Sequence, residues 1–189
     1  MPRYEFKPVT KALWPDLVQL FGERGACGGC WCMHWRLTNQ EFDAGKGAVN
    51  QRALKKIIDS GEVPGLIAYR DSQPVGWCSV APRERFSRLA RARTLKPIDD
   101  KPVWSVVCLF VLKSHRKQGV SVRLLKAAAD YVKSQGGKII EGYPYDPKAG
   151  DKWADPFVYT GLVGAFKKAG FREVARPSAT RAIMRRVFR

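Results

Sequence analysis

No stretch of this 189-residue chain approaches the length of a membrane span, which takes about 20 predominantly apolar residues in a row. The first residues lack the charged-then-apolar pattern of a secretory leader, and Met1-Pro2-Arg3-Tyr4 runs straight toward a strand. Two nucleotide-binding loops are missing by spelling. Neither Gly-x4-Gly-Lys-Ser/Thr nor Gly-x-Gly-x-x-Gly occurs, which excludes the ATP-type and dinucleotide-type loops. Acidic residues are few, 17 Asp and Glu against 34 Lys and Arg, for a formal net charge of +17. That excess favours anionic partners such as coenzyme phosphates, RNA or acidic substrates, and a basic solvated surface would show it equally. Nucleic acid has no supporting motif, because no RRM-type aromatic signature appears. Neither an internal repeat nor a low-complexity linker is present.

With 45% hydrophobic and 11% aromatic residues, the chain has the makings of one globular domain with an adequate core. Five cysteines without an export signal point to reduced thiols and a cytoplasmic location. Three of them fall in Gly25-Ala-Cys27-Gly-Gly-Cys30-Trp-Cys32-Met-His34-Trp35-Arg36. Structural zinc sites combine two spaced ligand pairs, and no second Cys or His pair follows. Cys27 and Cys30 have redox spacing but lack a strand-to-helix setting. Small thiols and aromatics packing a loop account for the segment most simply. No metal is therefore expected.

The stretch that organises the chain is Val103 to Ala129. Val103 to Leu112 is β-branched and aromatic, the composition of a buried strand. A basic turn with one glycine follows, Lys113 to Gly119. Val122, Leu125, Ala129 and Val132 then recur at helical spacing. A strand, a basic glycine turn and a helix make an anion cradle, because the first amides of a helix have no intrahelical partners. Gly119 admits close approach of a ligand to the backbone, Ser121 keeps the next turn small, and Arg116 and Lys117 add charge.

Read as Arg116-Lys-Gln-Gly119-Val-Ser121, this turn resembles motif A of the GNAT acetyltransferases, Arg/Gln-x-x-Gly-x-Gly/Ala, with Ser121 in place of the usual Gly or Ala. The rest of the chain agrees with that resemblance. Arg3 to Val9 reads as a strand with Tyr4 and Phe6 on one face. A helix follows, with Trp14, Leu17, Val18 and Phe21 inward and Pro15 and Asp16 in its first turn. Thr38 and Glu41 have the form of a capping box. A second helix is expected over Asn50 to Ser60, with Leu54, Ile57 and Ile58 inward. Gly65 to Arg70 and Pro74 to Val80 read as a hairpin. The basic insertion Pro82 to Lys96 allows a short helix around Phe86, Leu89 and Ala90. After the central helix come a strand from Lys138 to Asp146, a loop from Gly150 to Asp155, and a helix from Phe157 to Ala169 closed by Gly170. A hairpin, Phe171 to Arg176 with Arg181 to Phe188, ends the chain.

The resemblance implies one α/β (α+β) domain, a mixed, mostly antiparallel central sheet flanked by helices in the order β-α-α-β-β-β-α-β-α-β-β. It assigns residues 22–61 and 82–101 to shaping the acceptor side and 102–176 to the acetyl-CoA core. It implies direct transfer of an acetyl group from acetyl-CoA, as cosubstrate, to a primary amine of a small molecule or peptide. Carried onto this chain, backbone groups of Leu109, Phe110 and Val111 face the pantetheine arm. Arg116, Lys117, Gln118, Gly119, Val120, Ser121 and Val122 hold the phosphates. Trp31, Met33, His34 and Trp35 are expected as acceptor-pocket walls. The family's usual tyrosine, four residues before the Gly170-Phe171 step, is Phe166 here. The hydroxyl donors left are Tyr159, two helical turns earlier on the same side, and Tyr143 and Tyr145. Glu141, at a strand end beside the cleft, is the expected base, and a structural ion pair is its alternative. Cys108 is expected to be buried and without a covalent role. The competing readings are a CoA- or RNA-binding module with impaired catalysis, or transfer to an RNA-bound or anionic acceptor. A homodimer is compatible with either.

Overall fold

The apolar alternation from Gly65 to Val111 builds the middle of one seven-stranded sheet in the computed structural model, which describes residues 3–147 and 158–189. Its strands are β1 (Tyr4–Pro8), β2 (Gly65–Arg70), β3 (Gln73–Pro82), β4 (Trp104–Val111), β5 (Ile139–Gly142), β6 (Arg172–Ser178) and β7 (Arg181–Val187). They lie in the order β1-β2-β3-β4-β5-β7-β6, and only β4 and β5 run parallel. The helices are α1 (Trp14–Phe21), α2 (Asn39–Ala44), α3 (Ala48–Asp59), α4 (Ser87–Arg91), α5 (Val120–Ser134) and α6 (Val163–Lys168). The expected mixed, mostly antiparallel sheet is thus observed.

One face of the sheet is covered by α5 and α6. Val120, Leu124, Leu125, Ala128, Ala129 and Val132 of α5 pack on Leu66, Val75, Val80 and Val106. On the other face Leu17, Leu20 and Phe21 of α1 and Leu54 and Ile58 of α3 meet Ile67, Tyr69 and Trp77. A third cluster joins Trp35, Phe86 and Leu89 to Val107, Tyr143 and Ile183. Burying a side chain the size of these is worth about 1.5–3 kcal/mol.

Two features of β4 position the site. Ser79 and Val80 pair with Cys108 and Val106, so Val107 is one residue too many. This bulge re-aims the strand. Val106 and Leu109 both face α5, while Val107 and Cys108 turn to the opposite side. Further along, β5 pairs only with Trp104, Ser105 and Val106. Beyond Val106 the β4 edge faces a gap.

The expected elements recur with shifted ends. The Thr38–Glu41 capping box forms, the Thr38 hydroxyl accepting from the Glu41 amide and Glu41 accepting from the Thr38 amide. It starts α2, one of two short helices beyond the expected order; the other is α4. The strand expected to Asp146 stops at Gly142, and Tyr145 makes only isolated bridges to Leu162 and Arg181. The helix expected from Phe157 begins at Val163 instead, because Gly161 takes a left-handed φ of +87° and Leu162 is extended. Tyr159 therefore sits in a turn, not two helical turns above Phe166. Phe157 and the expected Gly150–Asp155 loop lie outside the described residues. Among the described residues no helix is long and apolar enough to cross a membrane.

Candidate active site

A cavity of about 510 Å³ opens where β4 and β5 part. Its floor is the exposed end of β4, with Cys108, Leu109, Phe110 and Val111. One end is the turn into α5, with His115, Arg116, Lys117, Gly119, Val120 and Ser121. The other end is the cysteine-rich loop and the start of α2, with Cys27, Cys30, Cys32, His34, Trp35 and Phe42. Val158, Tyr159, Gly161, Leu162 and Ala165 close the side.

The turn into α5 is shaped for an anion. Lys117 and Gly119 take left-handed φ of +60° and +76°, folding the chain back so that α5 begins at Val120. No side chain caps that helix and no acidic residue lies in its first turn. Its first amides consequently have no intrahelical acceptor and the positive end of the helix dipole is uncompensated. A Cβ built on Gly119 would meet nothing within 4 Å, so space lies open over the backbone there. Arg116 is anchored, its Nε donating to the Val111 carbonyl at 3.0 Å. Gln118 turns away, accepting from Arg70 at 2.7 Å and donating to the Ser114 carbonyl at 3.0 Å. Val122 packs toward the core under α5.

At the opposite end the loop from Gly22 to Arg36 is held by backbone bonds rather than regular structure. The Trp31 amide donates to Gly25 at 3.1 Å, and the Gly47 amide donates to Gly29 at 2.9 Å. Buried Asn50 adds side-chain bonds to the carbonyls of Gly29 and Phe42. Trp31 and Met33 are core residues, not walls of the cavity; Trp31 packs between Trp14 and Phe21 with centroids 6.0 and 5.5 Å away. His34 and Trp35 do line it. The His34 ring meets Trp35, Phe42 and Tyr159 edge to face. Arg88 Nη1 lies 3.0 Å from both of its nitrogens. Burial, with the Arg88 charge second, holds the imidazole down to about 4, so it is neutral at pH 7. Burial pushes the Tyr159 hydroxyl up to about 12, leaving it a proton donor. Its backbone carbonyl accepts from the Leu109 amide at 2.6 Å.

Glu141 and Tyr143 do not line the cavity. They lie at the end of β5, inside the sheet between β4 and β7, in a buried polar network. Glu141 pairs with Arg185 at 2.6 Å and with Arg83 at 3.3 Å, and accepts from the Tyr143 hydroxyl at 2.7 Å. Ser105 Oγ is 2.9 Å from that hydroxyl, and Arg185 also grips Asp99 at 2.6 Å. Burial raises the Tyr143 hydroxyl, with the Glu141 charge adding to the effect. Segment 82–101 serves this network and backs His34, but contributes no lining residue. Phe166 is fully buried against Phe171, with ring centroids 4.9 Å apart, and its edge fills the space where Gly142 has no side chain.

Several lining residues escaped the sequence reading. Cys108 was expected to be buried; it is half-buried and faces the cavity, because the bulge turns it there. Phe42, the lone large apolar residue of an otherwise polar α2, was a legible signal left unused. Ala26, His115, Gly161, Leu162 and Ala165 carry no signal of their own.

A family model described as the Acetyltransferase (GNAT) family matches residues 31–145. No curated protein sequence matches the chain. Among solved structures, a GNAT-family acetyltransferase from Desulfovibrio desulfuricans is similar at 15% identity, covering 99% of each chain, with a TM-score of 0.53. PaiA N-acetyltransferase from Thermoplasma acidophilum, in complex with coenzyme A, is similar at 14% identity over 98% of this chain and 99% of its own, TM-score 0.53. An aminoglycoside N-acetyltransferase in complex with CoA is similar at 16% identity over 93% and 92%, TM-score 0.55. At these identities the likeness is one of fold.

Proposed function

The chain belongs to the acetyltransferase (GNAT) family, and from that premise we propose that it moves an acetyl group from acetyl-CoA to a primary amine of a small molecule or peptide. The observation that carries this reading is the single cavity joining the uncapped start of α5 to the His34–Tyr159 wall. Acetyl-CoA supplies the activated thioester. The α5 amides from Val120 to Val122, with Arg116 and Lys117, bind the phosphates, and open space over Gly119 fits that group. The Leu109 amide is engaged by Tyr159 and the Val111 carbonyl by Arg116, so strand-like pairing with the donor's amide arm falls to the Val111 amide, past the end of β5.

At the acceptor end Trp35 and Phe42 give apolar walls, completed by the neutral His34 ring, whose nitrogens both face Arg88. Among the described residues no Asp or Glu lines the cavity. Deprotonation of the ammonium therefore rests on desolvation and on the Arg88 charge beside His34, both of which disfavour a charged amine, and the proton leaves to solvent. The Tyr159 hydroxyl donates a proton to the departing thiolate. Glu141 takes a structural part in this scheme.

The test is acetyl-CoA turnover against a panel of polyamines, aminoglycosides and peptides, read by mass spectrometry of the acceptor. An acetyl-sized mass gain on at least one amine is expected. Tight CoA binding with no transfer to any acceptor would favour a binding module. RNA binding with a steep salt dependence would favour the nucleic-acid reading.

A further inference from the structure

Four of the five cysteines face the one cavity: Cys27, Cys30, Cys32 and Cys108. The fifth, Cys78, is fully buried in β3. Cys108 is brought there by the β4 bulge, and the other three by the loop after α1. In that loop Trp31 and Cys32 are consecutive non-glycine residues in left-handed backbone, with φ of +43° and +53°. Such residues are strained and persist where the surroundings over-determine them. Here the buried Trp31 ring and the backbone bond to Gly25 do so.

The strained turn has a chemical result. It carries Cys32 Sγ to 3.5 Å from Cys108 Sγ, toward which the Cys32 thiol donates, while the Cys30 thiol donates to the Gly25 carbonyl at 3.5 Å. Three sulfurs thus stand in a chain: Cys30, half-buried; Cys32, buried; Cys108, on the rigid strand. The sulfurs do not gather as metal ligands would; among the described residues no group of three or more His, Cys, Asp or Glu is placed to hold a metal ion. When Cys30 ionises, the Cys32 S–H can turn to it, and that hydrogen bond holds the Cys30 thiol down to about 6, against the opposing effect of burial. Burial keeps Cys32 protonated. The thiolate in front is the first nucleophile, and the thiol behind it gives up its proton as it attacks the oxidised sulfur.

We infer that Cys30, Cys32 and Cys108 form a thiol-oxidation site that admits a small hydroperoxide through the cavity and closes as a Cys32–Cys108 disulfide. The Cys30 thiolate attacks one peroxide oxygen; the O–O bond breaks and hydroxide leaves, taking a proton to become water. The resulting Cys30 sulfenic acid is attacked by Cys32 sulfur, which displaces a second water and forms a Cys30–Cys32 bond. That bond spans one intervening residue and is strained. Cys108 sulfur then attacks Cys32 Sγ, Cys30 leaves as thiolate, and the Cys108 proton passes to solvent. Two thiols are oxidised and one peroxide is reduced. The disulfide ties the loop to β4 inside the cavity; the loss of acetyl transfer that this entails rests on the proposed function, whereas the thiol chemistry does not.

The experiment is treatment of the intact protein with one equivalent of hydrogen peroxide, followed by thiol titration and non-reducing peptide mapping. The titratable thiols should fall by two from the five of the reduced chain, with Cys32 and Cys108 peptides joined and the change reversed by dithiothreitol. Cys30→Ser should remove the rapid phase of thiol loss. Cys108→Ser should leave oxidation stalled at the Cys30–Cys32 bond. Cys32 and Cys108 remaining reduced in the wild type, while Cys27 or Cys30 gathers higher oxides, would overturn the assignment whether or not the protein acetylates amines.

Discussion

The Tyr159 carbonyl oxygen accepts a hydrogen bond from the Leu109 amide at 2.6 Å, across the gap left where β5 has ended. This bond places the Tyr159 ring in the cavity beside His34. The backbone sets the tyrosine's position and the side chain supplies the hydroxyl, so the two contributions are separable by mutation.

Tyr159→Phe keeps the backbone bond and the ring packing and removes only the proton donor. Its kcat should fall by roughly a hundredfold or more, in the range of a lost general acid, while the affinity for CoA stays within about twofold. Steady-state kinetics with a calorimetric CoA titration checks both. An unchanged kcat would remove Tyr159 from the chemistry.

Glu141 distinguishes a buried support from a base. Glu141→Gln leaves Arg83 and Arg185 facing each other without their carboxylate. Removing one partner of a buried ion pair costs about 3–5 kcal/mol. Urea unfolding should show that loss, with the kcat of the folded fraction retained. A stable variant with collapsed kcat would restore Glu141 as the base.

His34 makes stability depend on pH. The unfolded chain protonates this imidazole below about 6.5, the folded chain only below about 4. Between those values the unfolded state binds more protons, so stability is present above pH 6.5 and is lost as pH falls toward 4. Allowing for solvent screening of a partly exposed ring, the loss is about 1 kcal/mol. His34→Gln should flatten the change, as read by urea midpoints at pH 4.5 and pH 7. An unaltered slope in the variant would place the effect elsewhere.

The strand, turn and helix from β4 into α5 were legible because their signals are local: a β-branched strand, a lone glycine and a helical stripe lie in one run of chain. The Thr38–Glu41 cap and the β2–β3 hairpin were legible for the same reason. The acceptor end was not. Trp31 and Met33 adjoin His34 and Trp35 in sequence, yet the left-handed turn at Trp31 and Cys32 sends the first two to the core and leaves the others on the cavity. Cys108 was missed because a bulge has no composition of its own. Glu141 looked like a strand-end carboxylate until Arg185, distant in sequence, arrived beside it. Tyr159 was assigned to a helix that Gly161 cuts short.

The most direct test of the whole reading is calorimetric titration of CoA into the wild type and Gly119→Trp, side by side. Gly119 has open space over it, so an indole there occupies the anion cradle without striking the core; its φ of +76° strains any side chain by about 1–2 kcal/mol, and unfolding midpoints check that the fold survives that cost. Binding is expected in the wild type and none in the folded variant; equal affinity in the two would place CoA away from this turn.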